Sequence, residues 1–202
     1  MSPKRQRGFS LIELIVVVAV ILAVSALAAP KFLNAIYNIR LRSSAFELSG
    51  MLQAVRMQAV QDNRYYYLCY AANNGVTQAW VSATGTCGTA PAATDKQVQL
   101  GGNVRIVTSG APAGIGSVLS FPAPTSVLVT AKPAFGARGL PCYVSGSVCK
   151  TIAVTLSGNQ VACYLLYLTD TRPVGSNGWA AVSVSPAGRM QVWTYNGSNW
   201  GH

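Results

Sequence analysis

Gly8-Phe9-Ser10-Leu11-Ile12-Glu13-Leu14 decides how this chain is read: three cations, Lys4, Arg5 and Arg7, stand before it, and an almost unbroken apolar run follows it to Ala29. Coiled as a helix, Phe9 to Ala29 is roughly 30 Å long, the thickness of one hydrocarbon core. The stretch can therefore cross a membrane. Cations before it and few charges just after it predict an amino terminus kept in the cytoplasm and everything beyond Pro30 exported. A cleaved secretory signal is the plainer reading of such a start. Against it, the apolar run exceeds the usual length of about 7–15 residues, and Ala26, Ala28 and Ala29 make only a weak peptidase site. Glu13 is the residue out of place. A carboxylate inside an apolar run is costly unless it is paired, so it calls for a partner.

On these residues the chain resembles the type IV pilins and type II secretion pseudopilins, whose class III leader junction has the pattern of Gly8-Phe9-Ser10-Leu11-Ile12-Glu13-Leu14. The resemblance implies a membrane enzyme, the prepilin peptidase, that cuts after Gly8 and N-methylates Phe9. It makes Glu13 the fifth mature residue, whose carboxylate meets the N-terminal amine of a neighbouring subunit in a filament. The implied partners are other pilin or pseudopilin subunits, the peptidase and an inner-membrane assembly platform. The implied location is the bacterial inner membrane, crossed once with the head in the periplasm, and then a pilus or pseudopilus.

Beyond Pro30 the helical pattern resumes from Lys31 to about Asp62, with Leu41, Ala45, Leu48, Leu52, Val55 and Ala59 on one face. Phe32, Ile36, Ile39 and Phe46 are expected to widen that stripe, and Arg40, Arg42, Arg56 and Arg64 to face outward. Proline inside the pattern removes one backbone hydrogen bond and predicts a bend near Pro30. After Asn63 the period changes. Tyr65–Tyr70 and Gln78–Ser82 read as a hairpin turned at Asn73-Asn74-Gly75, then Val98–Leu100, Val104–Thr108, Val118–Phe121 and Val127–Thr130 read as strands. Lys132 to Ser147 is rich in Gly and Pro and reads as irregular. Thr151–Leu156 with Gln160–Leu168, and Trp179–Val184 with Met190–Tyr195, read as two further hairpins. The expected class is α+β: a long N-terminal helix packed on an antiparallel β head. The expected organisation is a leader at 1–8, a membrane and filament-core helix at 9–29, its amphipathic continuation at 30–63 and the head at 64–202.

Five cysteines lie beyond the apolar run, and in an exported protein they favour disulfides. Cys69 with Cys87 and Cys142 with Cys149 is the arrangement expected, leaving Cys163 as a buried thiol in an apolar strand; spacing alone leaves other connectivities open. A metal site is not expected, because the one histidine is the final residue, His202. No cofactor is expected either. Among the 202 residues there is no H-E-x-x-H, G-x-S-x-G, P-loop or dinucleotide motif, and no internal histidine to act as a base, so the chain reads as an enzyme's substrate and not as an enzyme. Fifteen Lys and Arg against five Asp and Glu give a net charge of +10, of which the leader carries three, and favour anionic partners.

A head of hairpins with Ser185-Pro186-Ala187-Gly188-Arg189 near the end is similar to the GspH/FimT group of minor pilins and pseudopilins. In that group a Gly-Arg-x-Arg segment is common and its arginines help bind DNA in naturally competent bacteria. Gly188 and Arg189 match it, but Gln191 stands where the second arginine is expected. A hairpin tip with exposed N–H groups and Arg189 is a fair anion site. The expected function is that of a minor pilin or pseudopilin that initiates or caps a type IV pilus or a type II secretion pseudopilus. The alternatives are a DNA-binding tip subunit and a major structural pilin.

Overall fold

The stripe that starts at Leu41 organises the head. The computed structural model describes residues 10–73, 76–82, 87–121, 132–145, 148–150, 163–172 and 176–202. The chain divides into two compact units, Met1–Ile36 and Tyr37–His202. One helix, α1 (Leu11–Gln61), supplies the described part of the first unit and continues through Pro30 into the second. Within the second unit Leu41, Ala45, Leu48, Leu52, Val55 and Ala59 are all buried, as their spacing of three and four residues requires.

Two antiparallel sheets of the described residues meet that face. The first runs β3 (Gln97–Gln99), β2 (Val76–Ser82), β1 (Tyr66–Asn73), β5 (Ala134–Phe135), β6 (Pro141–Ser145), β7 (Val148–Lys150). The second runs β11 (Trp200–Gly201), β10 (Met190–Tyr195), β9 (Trp179–Val184), β8 (Tyr164–Asp170), β4 (Val104–Val107). Period-two alternation decides which side chains reach the helix. Tyr164, Leu166 and Leu168 of β8 and Ala180, Val182 and Val184 of β9 join α1 in one core, together with Tyr66, Leu68, Ala79, Val81 and Phe135 from the first sheet. The opposite face of the second sheet carries its own cluster of Ile115, Leu165, Ala181, Trp193 and Trp200. There the Trp200 indole donates to the carbonyl of Pro112 at 3.2 Å and the Trp193 indole to Ser183 Oγ at 2.8 Å.

Cys69 is bonded to Cys87 and Cys142 to Cys149, closing loops of 18 and 7 residues' separation. Such links typically contribute about 2–4 kcal/mol by restricting the unfolded chain. The second one is packed tightly: a Cβ on Gly136 would stand 2.8 Å from Cys149 Sγ, so only glycine fits there. Cys163 lies outside both bridges, buried at the edge of β8, and burial pushes its thiol up to about 11.

Four expectations are corrected. Phe32, Ile39 and Phe46 do not widen the buried stripe; they are 68%, 69% and 54% exposed, and Ser44, Ser49 and Met51 flank the stripe instead. The reason is angular, since Ile39 and Phe46 project on the side of α1 away from Leu48 and Leu52. Arg56 does not simply face outward; it is half-buried against the β9–β10 turn. Val118–Phe121 is not a strand but follows a single 3₁₀ turn, Ile115–Ser117, whose Val118 and Leu119 lie on the outer aromatic cluster. The described part of Lys132–Ser147 is not irregular throughout, because it supplies β5 and β6, paired through Ala134 with Cys142 and Phe135 with Pro141. The strands expected at 127–130 and 151–156, the residues before Cys163 in the strand expected from Gln160, and the turns at 74–75 and 157–159 fall outside the described residues.

Leu52→Ala should cost about 2–5 kcal/mol through the void left under both sheets, whereas Phe46→Ala should stay within about 0.5 kcal/mol. Urea unfolding of the oxidised chain in phosphatidylcholine nanodiscs, followed by tryptophan fluorescence, measures both. Equal losses would contradict the assignment of the buried face.

Candidate functional site

Two regions of the sequence are singled out by their chemistry, the apolar amino end and the turn at Gly188-Arg189. In the first, every described side chain from Leu11 to Ala29 is exposed, with Leu11 at 75% and Leu27 at 77%. None of this apolar stretch is buried by the other described residues. Each aliphatic side chain left in water forgoes about 1.5–3 kcal/mol of transfer free energy. A helix apolar on all sides is stable only inside lipid or among other apolar helices. Glu13 sits in the first turn of this helix, where unsatisfied amide N–H groups favour a negative charge. Among the described residues it has no hydrogen-bond or ion-pair partner. Gly8 and Phe9 lie outside the described residues.

The second region is built by β9 and β10, paired from Met190 with Val184 to Tyr195 with Trp179. Gly188 has φ +78°, the left-handed conformation that closes the turn. Its N–H donates to the Ser185 carbonyl at 2.8 Å, and the Arg189 N–H donates to Ser185 Oγ at 3.0 Å. Ser185 thus takes up the N–H groups of Gly188 and Arg189, while Ala187 at the tip is exposed. Arg56 of α1 donates from Nη1 to the Gly188 carbonyl at 3.0 Å. Arg189 extends into solvent beside it, and Gln191 lies in β10 opposite Ser183. Between the last turns of α1 and this turn is a groove of about 590 Å³, lined by Arg56, Met57, Val60, Arg189 and Met190 among others and by no carboxylate. Arg56 is the residue at this candidate site that sequence reasoning places facing outward. A lone arginine on a helix gives no periodic signal that separates a solvated side chain from one bonded to a distant turn.

A third polar construction lies at the other end of the same hairpin. Asp170 is buried and accepts from Arg172 Nε at 3.0 Å and from Arg172 Nη2 at 3.0 Å, while Arg172 Nη2 also donates to Asn38 Oδ1 at 2.7 Å. These bonds tie the end of β8 to α1. No group of three or more His, Cys, Asp and Glu that could hold a metal occurs among the described residues.

The comparisons with known proteins bear on the first region. Residues 3–29 match the family described as the prokaryotic N-terminal methylation motif, a span that includes Gly8, Phe9 and Glu13. No curated protein matches the chain, and no solved structure does. The motif is typical of type IV pilin-like proteins, and with one long helix packed on an antiparallel head it defines a type IV pilin-like structural subunit. The same motif is consistent with a substrate of the prepilin peptidase and methyltransferase.

Gly188→Ala and Gly197→Ala both force a side chain into positive φ, at about 1–2 kcal/mol. Only Gly188 is also crowded, because a Cβ there would lie 3.1 Å from the Gly139 carbonyl and 3.3 Å from Arg56 Cζ, whereas the space at Gly197 is open. Thermal unfolding should therefore show Gly188→Ala as the more destabilised variant, and equal shifts would argue against the Arg56 clamp.

Proposed function

We propose that this chain is a minor pilin or pseudopilin of the GspH/FimT type, which helps to start or cap a type IV pilus or a type II secretion pseudopilus. The observation that carries the reading is the unpartnered apolar helix with Glu13 in its first turn, inside the matched methylation motif. Hydrolysis of the Gly8–Phe9 peptide bond frees the Phe9 amine, and its attack on the methyl group of a sulfonium donor, which departs as the thioether, leaves a secondary amine that is still cationic at neutral pH. Residues 9–29 hold the subunit in the inner membrane with the head, 64–202, in the periplasm, and 30–63 continue the helix under the head. On assembly the helix exchanges lipid for neighbouring helices. The Glu13 carboxylate then pairs with the Phe9 amine of the adjoining subunit, which sets the axial step of addition. The burial cost of each charge is offset only when both are present.

Glu13→Gln tests this directly. In cells carrying the assembly machinery, the variant should still be cut after Gly8 and methylated on Phe9, yet its recovery with sheared filaments or with partner subunits should fall by more than about tenfold, because one charge is left without its partner. Recovery at the unchanged level would contradict the assembly role of Glu13.

A second reading, a tip subunit that binds DNA, is favoured by Arg56 beside Arg189 in a groove without carboxylates. Under it, duplex binding by the chain weakens steeply with salt, and Arg189→Ala reduces the salt slope by about one phosphate contact. Absence of duplex binding at low salt removes this reading and leaves the assembly role standing.

A further inference from the structure

The strongest unassigned feature of the head is the polar cleft around Arg172. It has a volume of about 400 Å³, and the residues that matter in it are Asn38, Arg172, Asn177, Trp179, Tyr195 and Asn196. Each comes from a different place in the fold: α1, the segment after β8, the approach to β9, β9 itself, the end of β10 and the turn before β11. Trp179 and Tyr195 are cross-strand partners and both half-buried, so part of each ring remains accessible.

The hydrogen-bond accounting shows what the cleft offers. Asn38 Oδ1 accepts from Arg172 Nη2, Asn177 Oδ1 accepts from the Arg172 backbone N–H at 3.4 Å, and Asn196 Oδ1 accepts from the N–H groups of Ser198 and Asn199 at 3.0 and 2.8 Å. All three amides thus spend their oxygens within the protein, which fixes their orientation. Their NH₂ groups donate to nothing among the described residues. Arg172 has only 9% of its side chain exposed. Its Nε and Nη2 are committed to Asp170 and Asn38, leaving the two N–H groups of Nη1 with no partner among the described residues. Among the described residues the only buried side-chain atom without a partner is Thr77 Oγ1, so the Nη1 groups are donors that the cleft can offer and not an unmet burial cost.

The chemistry of a ligand that suits the cleft follows from three constraints. It must bring several acceptors, since the cleft presents N–H donors. It needs no charge, because Asp170 already neutralises Arg172 at 3.0 Å. It must also have an apolar side to lie on the two aromatic rings. A pyranose meets all three, with hydroxyl and ring oxygens at its rim and C–H groups on its faces. The volume suits one or two rings. A metal ion does not fit, as the groups that face the cleft are donors and the one carboxylate is consumed.

We propose that this cleft binds a neutral pyranose unit of a glycan. The test uses the full chain in phosphatidylcholine nanodiscs with a panel of neutral hexoses, N-acetylhexosamines and their short oligomers, read by saturation-transfer NMR. The same sugars are coupled to beads for a retention assay. At least one sugar should bind saturably, with its ring C–H protons receiving the strongest transfer. Asn177→Ala, at an exposed position, and Trp179→Ala should each weaken that binding by on the order of tenfold, with far-UV circular dichroism unchanged. Binding in solution as well as on beads identifies a free saccharide as sufficient, and retention on beads alone identifies a surface polymer. No binding across the panel in either format overturns the proposal, as does a sugar affinity that Asn177→Ala leaves unchanged. Neither result touches assembly through Glu13.

Discussion

The apolar surface between Leu11 and Ala29 has no partner among the described residues, and the reading of the molecule depends on that constraint. An all-round apolar helix is intolerable in water, so it calls for lipid or other apolar helices around it. Within that surface Glu13 is tolerable only if a cation reaches it. Under the proposed assembly role the two requirements make addition directional, since the cation is then the new amino terminus of another subunit. In that proposal the chemistry of processing and the packing of the filament converge on the same few residues, Gly8, Phe9 and Glu13.

The head solves a separate problem with the same helix. From Leu41 to Ala59 one face of α1 lies under two sheets, so the core is assembled on a rod whose amino end is committed elsewhere. Small strands need staples in such an arrangement. β5 and β6 pair through only two residue pairs, and they are held by the Cys142–Cys149 link, by the hydrogen bond from the Tyr164 hydroxyl to the Cys142 carbonyl and by the absence of a side chain at Gly136. At the other end, the Asp170–Arg172 pair and Asn38 fasten β8 to α1. Breaking one side of such a buried pair typically costs about 3–5 kcal/mol.

What the sequence made legible was whatever repeats with a fixed period. The stripe from Leu41 to Ala59 and the hairpin Trp179–Val184 with Met190–Tyr195 could be read residue by residue, because helix and strand periodicities are strong over six residues or more. β5 could not, since a two-residue strand carries no period and its pairing is set by contacts distant in sequence. Ile39 and Phe46 misled because apolar type alone was taken as burial, whereas their angle around α1 turns them from the core. At the candidate sites, Glu13 was visible as a charge in an apolar run. Arg56 and Arg172 were not, as their partners, the Gly188 carbonyl and Asn38, are more than a hundred residues away in sequence.

The account stands or falls on the chemistry of the amino terminus. Mass spectrometry of the amino-terminal peptide, taken from chain expressed with its processing machinery, reads that chemistry directly. A peptide that begins at Phe9 and carries one methyl group on its amine is the predicted result. A peptide that still begins at Met1, or one that begins after Ala29 as a cleaved secretory signal would leave it, would contradict the reading of this protein as a pilin-like subunit held and assembled through its first helix.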